Sequence, residues 1–403
     1  MIRTLAVLGL AALVAACTVP RPGPGPAPAP PATAAKLTFA PASFATLPGW
    51  RDDRLAEALP ALRASCGTLA SAPGDRPFGG FAFAGTNADW APFCAGLARA
   101  TDPRALIERE LLPVLAADNG NPNGLFTGYF EASLRASRQQ NSRFRVPVLG
   151  APPDLITVEL GQFRDSLKGQ RIAGRVVGSQ LRPYDDRAAI EGGALNGKAP
   201  TLLWADDPVD VFFLHIQGSG RAELPDGRVV RLNYAAQNGH AYTAIGKTLI
   251  DRGALTADNV SMQSIRAWLA ANPGEAAGVM RTNASYVFFR EVTASANDGP
   301  PGAQGVPLTA GRSLAVDRAF LPLGLPLWLD AVRPNDTEGA PDVLLQRLVV
   351  AQDTGGAIKG PVRGDMFWGH GPLAGSIAGR MKAQGRYFLL LPRAVAARLL
   401  ANG

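Results

Sequence analysis

The stretch VVAQDTGGAIKGPVRGDMFWGHG, residues 349–371, decides how this chain folds and what chemistry it can perform. It carries two carboxylates, Asp353 and Asp365, on either side of a glycine-rich turn. The apolar run 348–351 predicts a buried strand. Because a pair of glycines follows shortly afterwards, the chain is expected to reverse sharply there and to leave Asp353 at the end of the strand.

Asp365 is the candidate general acid. Glycines on both sides of it leave room for backbone and a bulky polar ligand to come close. The next residues, Met366, Phe367 and Trp368, supply an apolar wall. Burial beside such a wall disfavours the charged carboxylate, so the pKa of Asp365 is expected above its usual value. A carboxyl group that keeps its proton near neutral pH can act as an acid.

Length, composition and charge indicate what kind of protein this is. The chain has 403 residues, of which 47% are hydrophobic and 18% charged, and this predicts a folded protein with two domains. The formal net charge of +7 favours an anionic partner such as nucleic acid, a lipid surface or a cell-wall polymer.

The N-terminus decides among these partners. Residues 1–16 have one positive charge, an apolar core and small residues before Cys17, which is the layout of an export signal and argues against nucleic acid. The ending VAAC resembles a bacterial lipobox, in which the cysteine is acylated; the alternative is an ordinary cleaved signal. Thr18, where an aspartate would signal retention in the inner membrane, favours the periplasmic face of the outer membrane.

The Pro-rich segment 19–34 cannot form a core and is expected to be an extended tether. Cys66 and Cys94 follow in the folded part. In an oxidising periplasm they form one disulfide or remain two buried free thiols, and the sequence leaves both alternatives open.

Apolar spacing predicts the order of helices and strands. Spacing of three and four residues predicts helices over 55–62 and 106–115. Strand patterning begins near residue 126. Further along the chain, segments 209–217 and 228–234 are predicted to form a hairpin around the turn at 225–227.

The C-terminal part is predicted to contain a small closed barrel. Helical patterning returns over 241–272, and strands begin again at 285. Five apolar runs separated by turns then have the spacing of barrel strands. They are residues 306–310, 313–317, 325–329, 348–353 and 387–391.

Several motifs together resemble one known family. The segment DTGGAIKG at 353–360, the run DMFWGHG at 365–371, the Ala-Gly pair at 378–379 and SLAVD at 313–317 resemble the "3D" module, named for three aspartates. With motifs further upstream, the chain resembles the membrane-bound lytic murein transglycosylase A family over about 128–391.

The resemblance implies a mainly β fold with N-terminal helices, in which a double-psi β-barrel domain holds an inserted second β-rich domain with a groove between them. It also implies domain boundaries along the chain. These are a signal peptide at 1–16, lipidated Cys17 and tether at 17–36, a helical part of the barrel domain at 37–125, the inserted substrate-binding domain at 126–284 and the catalytic barrel part at 285–403.

The resemblance further implies a non-hydrolytic cleavage of peptidoglycan glycan strands. In that family one acid protonates the β-1,4 bond between N-acetylmuramic acid and N-acetylglucosamine and then, as a base, takes the proton of the muramic C6 hydroxyl. The motif match gives Asp365 this double role. Asp353 and Asp317 are expected to stabilise positive charge or to orient the acid, or else to cap turns of the barrel.

Polar loops and aromatic residues are candidates for sugar binding. The loop after the apolar run near 212 can hydrogen-bond sugar hydroxyls, and aromatic residues, among them Trp328 and Trp368, could stack on pyranose rings. Turn-forming or core roles are the alternatives for each of them. The substrate-binding candidates are Gly128, Tyr129, Gln217, Gly218, Ser219, Asn238, Tyr286 and Lys359.

Other chemistries lack their motifs. His215, His240 and His370 lie in separate segments without a paired spacing, so no metal site is predicted. The sequence has no GxSxG elbow and no phosphate-binding loop, so neither a serine triad nor a cofactor is predicted.

The sequence therefore predicts a lipid-anchored lytic transglycosylase, with cell-wall synthesis complexes as further candidate partners. One alternative from another class is a peptidoglycan-binding outer-membrane lipoprotein without activity. A nearer alternative is a hydrolase that admits water in place of the C6 hydroxyl.

Overall fold

The computed structural model of the protein describes residues 34–167, 170–293 and 299–401. The expected signal peptide 1–16, the lipidation candidate Cys17 and nearly all of the predicted tether lie outside the described residues. Ala35–Gly403 forms one compact unit. In the described ranges no helix combines the length and the apolar character needed to span a membrane.

The N-terminal part packs short helices on the main sheet and contributes its first strand as one edge of that sheet. Its elements are β1 Leu37–Pro41, α1 Leu59–Leu69, α2 Ala91–Leu97, α3 Arg104–Glu110 and β2 Leu111–Asp118. A disulfide joins Cys66 of α1 to Cys94 of α2. This decides between the disulfide and the free thiols that the sequence leaves open.

The helix predicted over 106–115 is wrong in its second half. α3 ends at Glu110, and the chain continues directly as strand β2. Pro113 accounts for the change, because a proline inside a helix lacks the N–H donor and clashes with the preceding turn. In the strand, Leu111 and Val114 instead join the buried core.

The middle of the chain is rich in strands and contributes two sheets. Strands β9, β10 and β11 extend the main sheet, whereas β5, β6 and β7 form a separate three-stranded antiparallel sheet. The elements are β3 Gly124–Ser137, β4 Val146–Leu149, β5 Ile156–Glu159, β6 Arg171–Val177, β7 Gln180–Pro183, α4 Arg187–Glu191, β8 Thr201–Ala205, α5 Pro208–Gln217, β9 Ser219–Glu223, β10 Val229–Gln237, α6 Ile245–Asp251, α7 Met262–Ala271, α8 Pro273–Arg281 and β11 Val287–Val292.

The strand predicted over 209–217 is wrong, because this segment is helix α5. The Asp207 carboxylate accepts a hydrogen bond from the Val209 N–H, Pro208 occupies the first turn, and Gly218 ends the helix with a left-handed φ of 77°. These are favourable helix-terminal residues. The hairpin around 225–227 exists, but its first strand is β9.

The C-terminal part contains four of the five predicted runs as strands. Its elements are β12 Ser313–Val316, β13 Pro326–Arg333, β14 Val343–Asp353, β15 Arg363–His370, α9 Pro372–Arg380, β16 Lys382–Pro392 and α10 Arg393–Ala401.

The strand predicted over 306–310 is wrong. Only an isolated bridge between Pro301 and Pro307 forms there, and proline cannot donate to a strand ladder. Apolar spacing also does not predict β15, which carries Asp365.

Strand pairing arranges six strands in a ring. The neighbours in order are β3, β15, β12, β14, β13 and β16, and β16 pairs back with β3. The β3–β15 and β12–β14 pairs are parallel, whereas the other pairs are antiparallel. The architecture is therefore mainly β with helices, as predicted.

Strand β3 links this ring to the middle of the chain. Its residues up to Glu131 pair with β15, and the next residues, from Ala132, pair with β9. Phe126 near its start belongs to the large core beneath the ring, and Leu134 belongs to the core of the middle part. The segment between them therefore lies where the two parts meet.

Candidate active site

Asp365 lies within the ring, on β15 between β12 and β3. It is in register with Ala315 of β12 and with Thr127 of β3. The Thr127 hydroxyl donates a hydrogen bond of 2.6 Å to Oδ1 of Asp365, and Arg363 donates one of 2.8 Å to that hydroxyl. Because Oδ1 already accepts this bond, Oδ2 is the oxygen placed to hold and deliver a proton.

Burial raises the pKa of Asp365 to about 6. The hydrogen bond from Thr127 and the positive charge of Arg363 act in the opposite direction, while the negative charge of Asp353 adds to the increase. The upward shift expected from the sequence is confirmed. A carboxyl group with such a pKa is divided between its acid and base forms near neutral pH, which suits a residue that must serve as both.

Asp353 lies at the end of β14, as predicted. The Tyr129 hydroxyl donates a hydrogen bond of 2.7 Å to its Oδ2, and the backbone N–H of Ala303 donates one of 2.9 Å to its Oδ1. Burial raises the pKa of Asp353, and these hydrogen bonds oppose that increase. Both carboxyl groups are thus held by hydroxyl donors from β3, two residues apart.

Asp317 is buried and follows the last residue of β12. Its Oδ1 accepts a hydrogen bond of 3.0 Å from the Ala319 N–H, and its Oδ2 accepts one of 2.8 Å from the Gly360 N–H. Both oxygens therefore cap backbone turns, which is the alternative that the sequence leaves open for this residue. Through Gly360, Asp317 anchors the loop between the two other aspartates.

Gly128 allows an aromatic side chain to approach β3. A Cβ atom at this position would lie 2.7 Å from Nε1 of Trp368, which is closer than real contacts permit. Trp368 is half-buried, so part of its ring remains accessible. Trp328, in contrast, is wholly buried in the large core, so its assignment as a stacking platform is wrong.

The loop after α5 contributes one polar side chain and one turn. Oε1 of Gln217 accepts a hydrogen bond of 2.9 Å from the Phe130 N–H, which joins the end of α5 to β3. Gly218 is half-buried and forms the left-handed helix cap. Ser219 is buried in β9 opposite Asn233, so it supports the sheet and is not available for direct sugar binding.

Asn238 and Tyr286 are also buried, which corrects their assignment as sugar-binding residues. The amide of Asn238 donates to the Asp185 and Ala284 carbonyls, and its oxygen accepts from the Tyr286 N–H. The Tyr286 ring packs on His215, with ring centroids 4.2 Å apart. Both residues lie on the buried side of the loop that follows Asn238 and support it.

Tyr242 lies on that loop and is partly exposed. Burial raises the pKa of its hydroxyl, and the negative charge of Asp365 adds to the increase. The phenol of Tyr242 is therefore within electrostatic range of the candidate acid, although the two residues belong to different parts of the chain. Sequence analysis names Asn238, at the start of this loop, as a substrate-binding candidate but does not include Tyr242.

Lys359 is exposed on the loop between Asp353 and Asp365. It lines a cavity of about 400 Å³ together with Asn121, Asn123 and Arg363. Asp118 also lines the cavity, so its polar groups include donors and acceptors that can hydrogen-bond an oxygen-rich ligand.

Thr127 and Arg363 are site residues that sequence analysis misses. No local motif distinguishes them, because their contact with each other and with Asp365 depends on the parallel pairing of β3 with β15. In the described part of the chain, no cluster of three or more histidine, cysteine or acidic side chains has the arrangement of a metal site.

Comparison with known proteins places this site in a family. Residues 125–290 match the family described as "MltA specific insert domain", and residues 312–391 match "3D domain". A protein of Escherichia coli K12 named membrane-bound lytic murein transglycosylase A is 35% identical over 277 residues, covering 68% of this chain and 67% of that protein. The chain belongs to the membrane-bound lytic murein transglycosylase A family.

Other relatives extend the likeness. The Vibrio cholerae protein of the same name is 32% identical over 270 residues, and the match spans 65% of its length. A solved membrane-bound lytic murein transglycosylase from Agrobacterium tumefaciens has 35% identity and a TM-score of 0.78, covering 90% of this chain and 99% of that one.

A relative with a bound oligosaccharide is also similar. The structure of E. coli MltA with bound chitohexaose has 27% identity to this MltA-family chain and a TM-score of 0.62, covering 88% of this chain and 91% of that one.

Proposed function

We propose that the protein is a lytic transglycosylase that cleaves the β-1,4 bond between N-acetylmuramic acid and N-acetylglucosamine in peptidoglycan. The observation that carries this proposal is the Asp365 carboxyl group, whose pKa is raised to about 6 and whose Oδ1 is held by Thr127. A carboxyl group in this state can donate a proton and then accept one at neutral pH.

The proposed reaction has two proton transfers. Oδ2 of Asp365 gives its proton to the glycosidic oxygen while the bond from that oxygen to the muramic C1 breaks, so N-acetylglucosamine leaves with a new hydroxyl. The resulting carboxylate takes the proton of the muramic C6 hydroxyl, whose oxygen bonds to C1. The product is a 1,6-anhydro ring, and Asp365 is protonated again without consumption of water.

Asp353 is proposed to stabilise the positive charge that develops near C1. Burial disfavours the charged form of Asp353, whereas the hydrogen bonds from Tyr129 and Ala303 favour it. These hydrogen bonds support the proposed role. The residues proposed to bind the glycan are exposed or half-buried, namely Gly128, Gln217, Gly218 and Lys359. Gly128 lies on β3 between the two hydroxyl donors, and Gln217 contacts β3 at Phe130.

The domain arrangement is a further part of the proposal. The ring of β3, β15, β12, β14, β13 and β16 is proposed to be the double-psi barrel. The barrel domain is proposed to comprise residues 37–125 and 285–403 around an insert at 126–284, whose first residues, 126–131, continue β3 and complete the ring. The parallel pairs within the ring and the family match at 125–290 support this division.

The location is proposed from the sequence and from the relatives' names. Acylation of Cys17 would hold the protein at the periplasmic face of the outer membrane, in line with the term "membrane-bound" in the names of its relatives. Labelled palmitate should be incorporated into the full-length chain and not into Cys17→Ala; equal labelling of both would contradict the anchor.

The reaction is tested by mass spectrometry of intact sacculi digested with the protein lacking residues 1–34. Anhydro-muropeptides should be released by the wild type and by Asp342→Asn, an equivalent change on an exposed loop, but not by Asp365→Asn. Products with reducing ends would instead establish a hydrolase. Binding of sacculi without any release would establish the non-catalytic lipoprotein.

A further inference from the structure

The small sheet of β5, β6 and β7 has two faces of different chemistry. Side chains alternate between faces along a strand, and residues paired across strands share a face. The register pairs Val158 with Ile172 and Val176 with Leu181, and both pairs lie on one face. This apolar sheet face consists of Ile156, Val158, Ile172, Val176, Leu181 and Pro183.

The opposite face packs on the rest of the protein. Arg171 donates a hydrogen bond of 3.2 Å to the Tyr234 hydroxyl, and the guanidinium of Arg175 lies 4.1 Å from the centre of the Tyr184 ring. A Cβ atom at Gly239 would lie 3.0 Å from the Ala173 Cβ. The polar face is thus turned inward, and the apolar sheet face points away from the body.

The apolar sheet face is accessible to solvent. Val176 is 56% exposed, and Ile156, Ile172 and Leu181 are also exposed. Phe163, in the turn between β5 and β6, is 72% exposed. An antiparallel sheet with one wet face normally turns its polar side to water, and contiguous exposed apolar patches usually mark a binding surface.

The charges near this face favour an anionic partner. Between residues 156 and 183 the sequence has five basic and two acidic residues. Arg164, next to Phe163, is exposed. Exposed aromatic and aliphatic side chains beside arginines are typical of segments that bind the interface of anionic lipid membranes.

A second copy of the chain is a poorer occupant. If two apolar sheet faces packed together, two segments of net positive charge would approach each other, and like charges repel. The sequence also keeps the folded body close to lipid. If Cys17 is acylated, the residues between it and Ala34 can span at most about 60 Å, which gives the body a high local concentration at the membrane.

We propose that the apolar sheet face, together with Phe163, docks on an anionic lipid surface. The apolar side chains would enter the boundary between headgroups and acyl chains, and Arg164, next to Phe163, would contact phosphate groups. On its other face, β6 approaches Gly239, which begins the loop to Tyr242, and the pKa of the Tyr242 phenol is raised by burial and by the charge of Asp365. Docking would therefore fix the orientation of the candidate active site relative to the membrane.

Vesicle flotation tests this proposal without any use of enzymatic activity. The protein lacking residues 1–34 is suitable, because Ala35–Gly403 is one compact unit and no lipid anchor is present. It should bind phosphatidylglycerol-containing vesicles at low salt and bind pure phosphatidylcholine vesicles at least 10-fold more weakly. The double variant Phe163→Glu with Val176→Glu should lose at least 10-fold in affinity for the anionic vesicles.

Two control variants separate the contributions. Leu344→Glu changes a side chain that is 71% exposed on another strand, and it should bind like the wild type. Arg164→Gln should weaken binding to anionic vesicles and leave binding to neutral vesicles unchanged. Circular dichroism should give all variants the wild-type melting profile, because every changed residue is exposed.

Either of two results would overturn the proposal. One is equal vesicle binding, or equal absence of binding, by the wild type and by the Phe163→Glu, Val176→Glu variant. The other is a dimer in light scattering that this variant abolishes, which would assign the apolar sheet face to a second copy of the chain.

Discussion

The hydroxyl of Thr127 lies 2.6 Å from Oδ1 of Asp365, and the same hydroxyl accepts a hydrogen bond from Arg363. Since a hydroxyl has one proton, acceptance from Arg363 directs that proton to the carboxyl oxygen. Thr127 thus orients the carboxyl group and leaves Oδ2 for the acid. It also lowers the pKa of Asp365 against the increase caused by burial.

Replacement of Thr127 by valine should impair catalysis and change its pH dependence. Without the hydrogen bond the pKa of Asp365 rises further, so the decline of kcat/KM at alkaline pH should move to higher pH. The carboxyl group also loses its fixed orientation, and kcat should fall roughly 10- to 100-fold at the optimum. The pH profile of anhydro-muropeptide release measures both effects.

Thr127→Ser is the matched control, because it keeps the hydroxyl and removes only a methyl group. Its alkaline limb should coincide with that of the wild type. A Thr127→Val variant that loses rate while its pH profile stays in place would show that Thr127 acts through packing alone.

Asp365→Asn should remove activity and yet stabilise the protein at alkaline pH. The pKa of Asp365 in the folded protein, about 6, is above the usual value of an unfolded aspartate. The stability that the neutral carboxyl group contributes to the wild type is therefore fully present below about pH 4 and is lost as the pH rises through about 6. Asparagine avoids this cost. The free energy of unfolding of the variant, relative to the wild type, should therefore increase by about 2 kcal/mol between pH 4 and pH 8.

Urea unfolding at the two pH values measures this difference. Asp342→Asn on its exposed loop is the control and should show no such increase between pH 4 and pH 8. If the Asp365→Asn variant has the same stability relative to the wild type at both pH values, the buried carboxyl group is not the source of a pH-dependent cost.

The predicted strands show what local sequence can reveal. The runs at 313–317 and 348–353 are apolar because both faces of their strands are buried, so a continuous run is enough to find them. Asp353 is placed correctly because the glycine pair after it marks the end of a strand. Segment 209–217 has an equally continuous apolar run, and only its caps, Asp207 and Gly218, distinguish it as a helix.

The contacts within the site are beyond such reasoning. Thr127 and Asp365 are 238 residues apart in sequence, and they meet because β3 and β15 pair in parallel with a particular register. Apolar patterning does not specify that register. For the same reason Asn238 and Tyr286 look like loop residues in the sequence, whereas long-range packing buries them.

Tyr129→Phe should affect the other limb of the pH profile. The Tyr129 hydroxyl lowers the pKa of Asp353, so its loss should raise that pKa and leave less of the charged form at acidic pH. The rise of kcat/KM from acidic pH should therefore move to higher pH. The buried carboxylate also loses a donor, which should cost about 1–3 kcal/mol of stability.

Tyr184→Phe provides a matched comparison away from the site. The Tyr184 hydroxyl donates a hydrogen bond of 2.6 Å to Asp154, so this variant also removes a phenol from a carboxylate. It should leave the pH profile of cleavage unchanged. Equal displacement of the acidic limb in both variants would argue against a role of Asp353 in the reaction.

The disulfide between Cys66 and Cys94 should stabilise the fold without contributing to the reaction. It joins α1 to α2 across a sequence separation of 28 residues, for which the loss of chain entropy in the unfolded state is worth about 3 kcal/mol. Serine at both positions should lower the free energy of unfolding by about that amount. Below the melting temperature, kcat for sacculus cleavage should remain that of the wild type, because neither cysteine contacts the carboxyl groups of the site.

Reductant supplies the control for this comparison. The protein lacking residues 1–34 has no other cysteine, so dithiothreitol present during urea unfolding should lower the stability of the wild type to that of the double serine variant. The variant itself should not respond to dithiothreitol. Unchanged wild-type stability under full reduction, verified by thiol titration of the unfolded protein, would mean that the cross-link adds nothing to the fold, and the destabilisation of the serine variant would then come from the loss of packing around the two sulfur atoms.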